Sequence, residues 1–218
     1  MGLKYFTLKS QRADDLDAGA RAVPAFVVMV VNRGDWLKRL VYSLDLPIRK
    51  LVLVHNVLPF GPDPSETFAA IAELVAEFGP RHVRALTFNR NLGVSRSLNL
   101  AFKMFPERYW IVADADFAYQ PGEFKRVVDA IDPAPSGPNS TNGAENNARV
   151  VDVVMAPQFR NWAARSTLVE KIGYFDENFW PAYVEDCDYH LRMLLHGNVS
   201  LVEMGVAHLH GEGDAVAV

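Results

Sequence analysis

Two aspartates separated by one residue, Asp114 and Asp116, stand at the end of the apolar run YWIVA. Side chains two apart on extended chain point to one side, so both carboxylates face a single spot beyond the strand's carboxyl end. Two like charges held that close are costly unless a cation neutralises them. Magnesium and manganese meet that need, being hard ions that take oxygen ligands and share their shell with substrate phosphates. The competing reading is a solvated turn, where Asp is favoured because its side chain hydrogen-bonds local backbone.

Three further groups carry chemistry. Glu185 and Asp186, with Asp188 close behind, open a predicted helix. The helix macrodipole explains one or two acids there, and a carboxylate directed into a cleft can instead deprotonate an acceptor hydroxyl. His208 and His210 form an H-x-H pair, with both imidazoles on one face of an extended segment, where one can complete a metal shell or simply be hydrogen-bonded. The loop Asn89-Arg90-Asn91-Leu92-Gly93-Val94-Ser95-Arg96-Ser97 leads into a helix. Its free backbone amides attract phosphate, and Arg90 or Arg96 can add charge-assisted contacts, although capping by Asn91 or Ser95 accounts for the same residues. No G-x-G-x-x-G and no G-K-[ST] loop is present, which disfavours a dinucleotide-binding dehydrogenase and a P-loop nucleotidase.

The elements that must position these groups alternate. AFVVMVV at 25–31 is a continuous apolar run, expected as a central strand covered on both faces, and DWLKRLVYSL follows at helical spacing. LVLV at 51–54 gives a second strand, Asp63 with Glu66 a capping-box pattern for the helix SETFAAIAELVAEF, and VRALTF at 83–88 a third strand. The helix NRNLGVSRSLNLAFKMF and the strand YWIVADAD complete the alternation, which predicts a doubly wound, mostly parallel sheet flanked by helices. Ligands of such sheets bind at strand carboxyl ends, where Asp114 and Asp116 fall. Residues 132–149, DPAPSGPNSTNGAENNAR, contain little that can pack and read as a mobile loop. Beyond it, VVDVVMA, a short helix around STLVEKIG, a helix from YVEDCDYHLRMLLHG and a strand NVSLVEM are expected.

Bulk properties narrow the partners. The 218 residues, half of them apolar, suit one large domain over residues 25–218 behind an N-terminal extension, 1–24. A net charge of -4 and a pI near 5.9 supply no basic field for nucleic acid. Cys187 is the only cysteine, so neither an intramolecular disulfide nor a Cys-based zinc cluster forms. No run approaches the roughly 20 apolar residues that span a bilayer, and the start MGLKYFTLKSQRADD lacks a signal-peptide core, so a cytoplasmic location is expected.

Taken in order over about residues 25–211, five segments resemble the family-2 glycosyltransferases and their rhamnosyltransferase-like relatives: VVMVVNRGDWLKRLVYSL, NRNLGVSRSLNLAF, VADADFAYQPGEF, FDENFWPAYVEDCDYHLRML and VAHLHGEG. The resemblance implies a GT-A fold and a nucleoside-diphosphate sugar as donor, a UDP-sugar here, with manganese or magnesium as cofactor. By position it implies Asp116 as metal ligand, Asp114 near the donor ribose or sugar, and His208 as the C-terminal ligand with His210 as its substitute. It also implies Asp186 as the base of an inverting transfer to a glycan or other hydroxyl, with Glu185 orienting acceptor or base. Donor contacts are expected from Asn32, Arg33, Asn56, Arg90, Gly93, Arg96, Asp114 and Ala115.

The chain departs from the family pattern in three places. His55 and Asn56 follow the second strand where relatives usually carry Asp; Leu98 stands where an Arg often precedes Asn99, leaving Arg96 as an approximate replacement; and the chain stops soon after VAHLHGEG, as one module of a longer protein would. Two rival functions fit the residues less well. A sugar-phosphate nucleotidyltransferase needs a Gly-rich basic loop after the first strand, which VNRGDWL does not supply, and an idle glycan-binding module has no need of Asp114, Asp116, Asp186 and His208 together.

Overall fold

The computed structural model describes residues 21–134, 150–156, 161–180, 182–203 and the backbone of 207–208. Most of the predicted loop, 135–149, lies outside the described residues, as does His210. Among the described residues the elements in chain order are β1 (Val23–Val30), α1 (Gly34–Tyr42), β2 (Ile48–Asn56), α2 (Pro64–Phe78), β3 (Val83–Phe88), α3 (Val94–Met104), β4 (Tyr109–Asp114), β5 (Phe117–Ala118), α4 (Glu123–Ile131), β6 (Val153–Met155), β7 (Asn161–Arg165), α5 (Ser166–Ile172), α6 (Glu185–His196), β8 (Val199–Leu201) and β9 (Ala207–His208).

Every residue of β1 is buried, as its unbroken apolar sequence requires of a strand covered on both faces. It pairs in parallel with β2 and with β4, and β2 pairs in parallel with β3. The predicted parallel alternation is therefore present over this half. The order of the main sheet is β3-β2-β1-β4-β7-β6-β8, with β7 antiparallel to both β4 and β6. The strand β7 was not expected from its sequence, NWAAR, which has two alanines and no β-branched residue. Burial explains it: Ala163 and Ala164 have no exposure, small side chains filling a position with sheet neighbours on both sides.

Strand alternation sorts the core into two layers. Phe26, Val28 and Val30 of β1 join Ile111 and Ala113 of β4 beneath α1, α2 and α4. Ala25, Val27 and Met29 join Trp110 and Val112 against Leu98, Ala101 and Phe102 of α3 and Tyr189 and Met193 of α6. Met29 is the register partner of Asp114, which follows Val112 by two and so belongs to the second layer, where the strand runs out.

Local rules set the helix starts. Asp63 Oδ1 accepts from Ser65 N at 2.8 Å with Pro64 in the first turn, fixing the start of α2. Gly34 permits α1 to begin against α2, because a Cβ there would lie 2.4 Å from the Glu66 carbonyl oxygen. Among the described residues no helix is long and apolar enough to cross a membrane.

Candidate active site

A cavity of about 390 Å³ opens at the carboxyl edge of the sheet in the second layer. Met29, Val112 and Trp162 come to it from strands, Val94 and Leu98 from α3, and Phe175, Ala182, Tyr183, Glu185 and Asp186 from the segment running into α6. Asp114 and Asp116 complete the lining. Four carboxylates thus share one cavity to which no Lys or Arg among the described residues contributes.

The backbone at the aspartates corrects one detail of the sequence reading. Strand β4 ends at Asp114, and Ala115 with Asp116 forms a turn before β5, so Asp116 reaches the cavity by a turn and not by strand alternation. Ala115 points to the opposite layer and donates its N–H to Met29 O at 3.0 Å. Its side chain therefore takes no part in the cavity. β5 pairs antiparallel with β9, placing the backbone of His208 opposite that of Phe117, one residue beyond Asp116.

Glu185 is 5% exposed, and its Oε2 has no hydrogen-bond partner among the described residues. Burial pushes its carboxyl above the ordinary 4.5; a backbone hydrogen bond opposes the shift, and the neighbouring charge of Asp186 adds to it. Asp186 is half-buried and accepts from Cys187 N at 2.8 Å, at the amino end of α6 where amides favour an anion. Asp186 in turn pushes the Cys187 thiol up, holding it protonated and unsuited to nucleophilic work. Asp188, the third acid of the cluster, pairs with Arg192 at 2.5 Å and is structural.

The remaining candidates mostly hold backbone. Asn32, at φ 44 and 1% exposed, donates to Leu58 O at 3.0 Å and accepts from Leu58 N at 3.4 Å, fixing the loop after β2. Arg33 binds Asp35 through two contacts of 3.0 Å and stacks 3.3 Å from the Trp36 ring centroid. Asn56, also buried, contacts Ser97 Oγ and accepts from Leu92 N at 3.1 Å, tying the end of β2 to the loop before α3. Gly93 sits at φ 80 just before Val94, with Asn91 Oδ1 accepting its N–H at 2.8 Å. Arg90 and Arg96 are exposed, and Arg96 pairs with Glu177 at 3.3 Å. None of these residues lines the cavity. His55 packs in the other layer against Phe68, and burial depresses its pKa, so it is neutral.

Sequence reasoning missed Asn99. This buried side chain donates to Phe175 O at 2.9 Å and accepts from Phe175 N at 2.9 Å, clasping α3 to the segment that carries the cavity's far wall. Its signal was an Asn flanked by Leu98 and Ala101 on the apolar face of a helix, where an unpaired amide would be costly. The aromatic lining, Trp162, Phe175 and Tyr183, was missed as well.

Magnesium typically binds through one or two protein carboxylates with phosphates and water supplying the rest, so the Asp114 and Asp116 pair has suitable donor chemistry. Among the described residues no group of three or more His, Cys, Asp and Glu is gathered for a metal.

A model of glycosyl transferase family 2 matches residues 60–173. Among solved structures, the chain is similar to S. aureus TarS 1–349, with a TM-score of 0.61 and 15% identity over 83% of this chain and 58% of that one. It is similar also to TarS 1–349 in complex with UDP, at TM-score 0.61 and 14% identity over 83% and 57%. A third match is the mannosyltransferase PcManGT from Pyrobaculum calidifontis in complex with GDP-Man and Mn2+, at TM-score 0.58 and 13% identity over 93% and 58%. The chain thus spans under two thirds of the length of these structures. No curated protein matches by sequence.

Proposed function

Given that the chain belongs to glycosyl transferase family 2 and has a GT-A-like fold, we propose that it is a glycosyltransferase moving a sugar from a UDP-sugar to an acceptor hydroxyl, with inversion and with a divalent cation bound. The observation that carries this reading is the shared cavity, in which Asp114 and Asp116 from the strand edge meet Glu185 and Asp186 from α6. One pair suits the donor and the other the acceptor.

On the donor side, Asp116 and Asp114 would hold manganese or magnesium, with His208 as a further ligand and His210 as its alternative; the ion would offset charge growing on the departing diphosphate. The amino end of α3, which begins at Val94 on the cavity wall, offers amides to phosphate, with Arg90 in the loop before it and Arg96 in its first turn. Asn32, Asn56, Gly93 and Ala115 support this side mainly by shaping backbone, and Arg33 by its contacts with the Asp35 carboxylate and the Trp36 ring.

On the acceptor side, Asp186 is the base. It is half-buried, lines the cavity and shows no ion-pair partner among the described residues, which leaves its carboxylate available for a hydroxyl proton. Glu185, more deeply buried, orients the acceptor hydroxyl. Taking that proton as the sugar carbon is attacked from the face opposite the diphosphate gives inversion in a single displacement.

UDP complexes of TarS and the GDP-Man and Mn2+ complex of PcManGT support a nucleotide-sugar donor and a divalent ion. A thermal-shift screen of nucleotide sugars in manganese, followed by assay of nucleotide release, tests the proposal. A UDP-sugar should raise the melting temperature and be slowly hydrolysed. Stabilisation by no nucleotide sugar would overturn the reading, and a preference for GDP-sugars would overturn the choice of nucleotide.

A further inference from the structure

Tyr183 lines the cavity, yet its side chain is 64% exposed. Large aromatic side chains left in water at a cavity mouth mark surfaces that a ligand covers. Trp180, in the same loop, is 61% exposed.

The backbone holds Tyr183 in place by constraint. Tyr183 has φ 76 and Val184 φ 75, a left-handed conformation that a β-branched residue adopts only when its surroundings impose it. Both ends of the loop are anchored. At one end Phe175 is buried, stacks on Tyr189 with ring centroids 3.8 Å apart and is clasped by Asn99. At the other, Asp188 N donates to Val184 O at 2.9 Å in the first turn of α6. The two residues after this bend are Glu185 and Asp186.

A platform beside two carboxylates selects for a ligand that is apolar on one face and hydroxylated at its rim. A pyranose ring has that form: its C–H face, made electropositive by the ring oxygens, packs on an aromatic π-face while its hydroxyls donate to carboxylates. An acyclic polyol has the hydroxyls without a fixed face. We propose that Tyr183 is an acceptor-stacking residue, on which a pyranose ring lies so that one of its hydroxyls meets Asp186. This rests on the glycosyl-transfer reading of the same cavity, and it names the acceptor class as a cyclic sugar.

The test is saturation-transfer NMR on the full chain with UDP and magnesium, using methyl β-cellobioside as the ring probe and D-sorbitol as the acyclic one. Wild type and Tyr183→Phe should saturate the C–H protons of the cellobioside, Tyr183→Ala should do so about fivefold less, and sorbitol should stay near baseline throughout. Equal transfer in Tyr183→Ala overturns the platform. So does a loss in Tyr183→Phe matching that in Ala, a sorbitol signal equal to the cellobioside's, or a wild type that saturates UDP but no cellobioside. UDP protons in the same samples report the donor side. A Tyr183→Ala protein that loses UDP as well would assign the ring to the donor and overturn the acceptor role. Absence of saturation of both UDP and, in a parallel sample, GDP in wild type would instead overturn the glycosyl-transfer reading itself.

Discussion

The two halves of the main sheet meet where β4 pairs with β7, and they combine apolar burial and side-chain clamping in different proportions. In β3-β2-β1-β4 all pairings are parallel, and the central strand is buried along its whole length. Position there is set by apolar burial. In β7-β6-β8 the strands run to five residues at most, and side chains clamp backbone in addition to apolar burial: Arg165 on Val151 O, Arg192 on Ile172 O and Tyr174 O, and Asp152 on Asn198 N. This half also leaves Leu191, Leu194, Leu195 and Leu201 exposed. The proposed metal ligands Asp114 and Asp116 sit at the end of the parallel half, whereas the proposed base sits on the clamped half. On the proposed reading, donor chemistry at a strand edge faces an acceptor side carried by a loop and a helix start, the kind of segment that varies while a fold is kept.

The largest effect expected separates the halves by function. Asp186→Asn should lower transfer by roughly 10²–10⁴-fold while donor binding stays intact, because a base acts on the acceptor and not on the diphosphate. Steady-state rates beside donor titration check this, and near-normal turnover would remove Asp186 from the role. Next, Leu53→Ala in β2, at a site with no exposure, should cost about 2–5 kcal/mol in chemical denaturation, as expected where burial alone holds position. Asn99→Ala should cost about 1–3 kcal/mol by stranding the buried N–H and C=O of Phe175. Limited proteolysis of that variant should cut between Phe175 and Glu185 before the parallel half opens; uniform unfolding would blur the comparison.

The smallest effect is one of pH. Glu185 binds its proton more tightly in the folded chain than in the unfolded one, so its contribution to stability is lost as pH rises from the ordinary 4.5 through the raised value. Glu185→Gln does not ionise. Its melting temperature relative to wild type should therefore climb across that window and then level, and a flat difference would show that the burial of Glu185 carries no such cost.

How much of this was readable in the sequence follows the same division. Runs such as AFVVMVV and LVLV announce strands buried on both faces, so the parallel half and the place of Asp114 at its edge could be read directly. NWAAR announces nothing, because what makes it a strand is the space between β4 and β6, a tertiary property. The acidic pairs were found by residue type. Their apolar company was not, since Trp162, Phe175 and Tyr183 reach the cavity only after β7 reverses direction and Asn99 fixes the loop. Asn32 and Asn56 stand at the expected sheet edge, but their side chains hold loops there and do not line the cavity.

The carboxylates at the end of β4 are proposed to hold a divalent ion for the donor's diphosphate. Calorimetric titration of a UDP-sugar into wild type and Asp116→Ala, each with and without manganese, tests it most directly. Wild type should bind more tightly with manganese, and the variant should lose that gain, since removing one of two carboxylates halves the local negative charge available to the ion. Manganese-dependent binding of equal strength in Asp116→Ala would contradict the account.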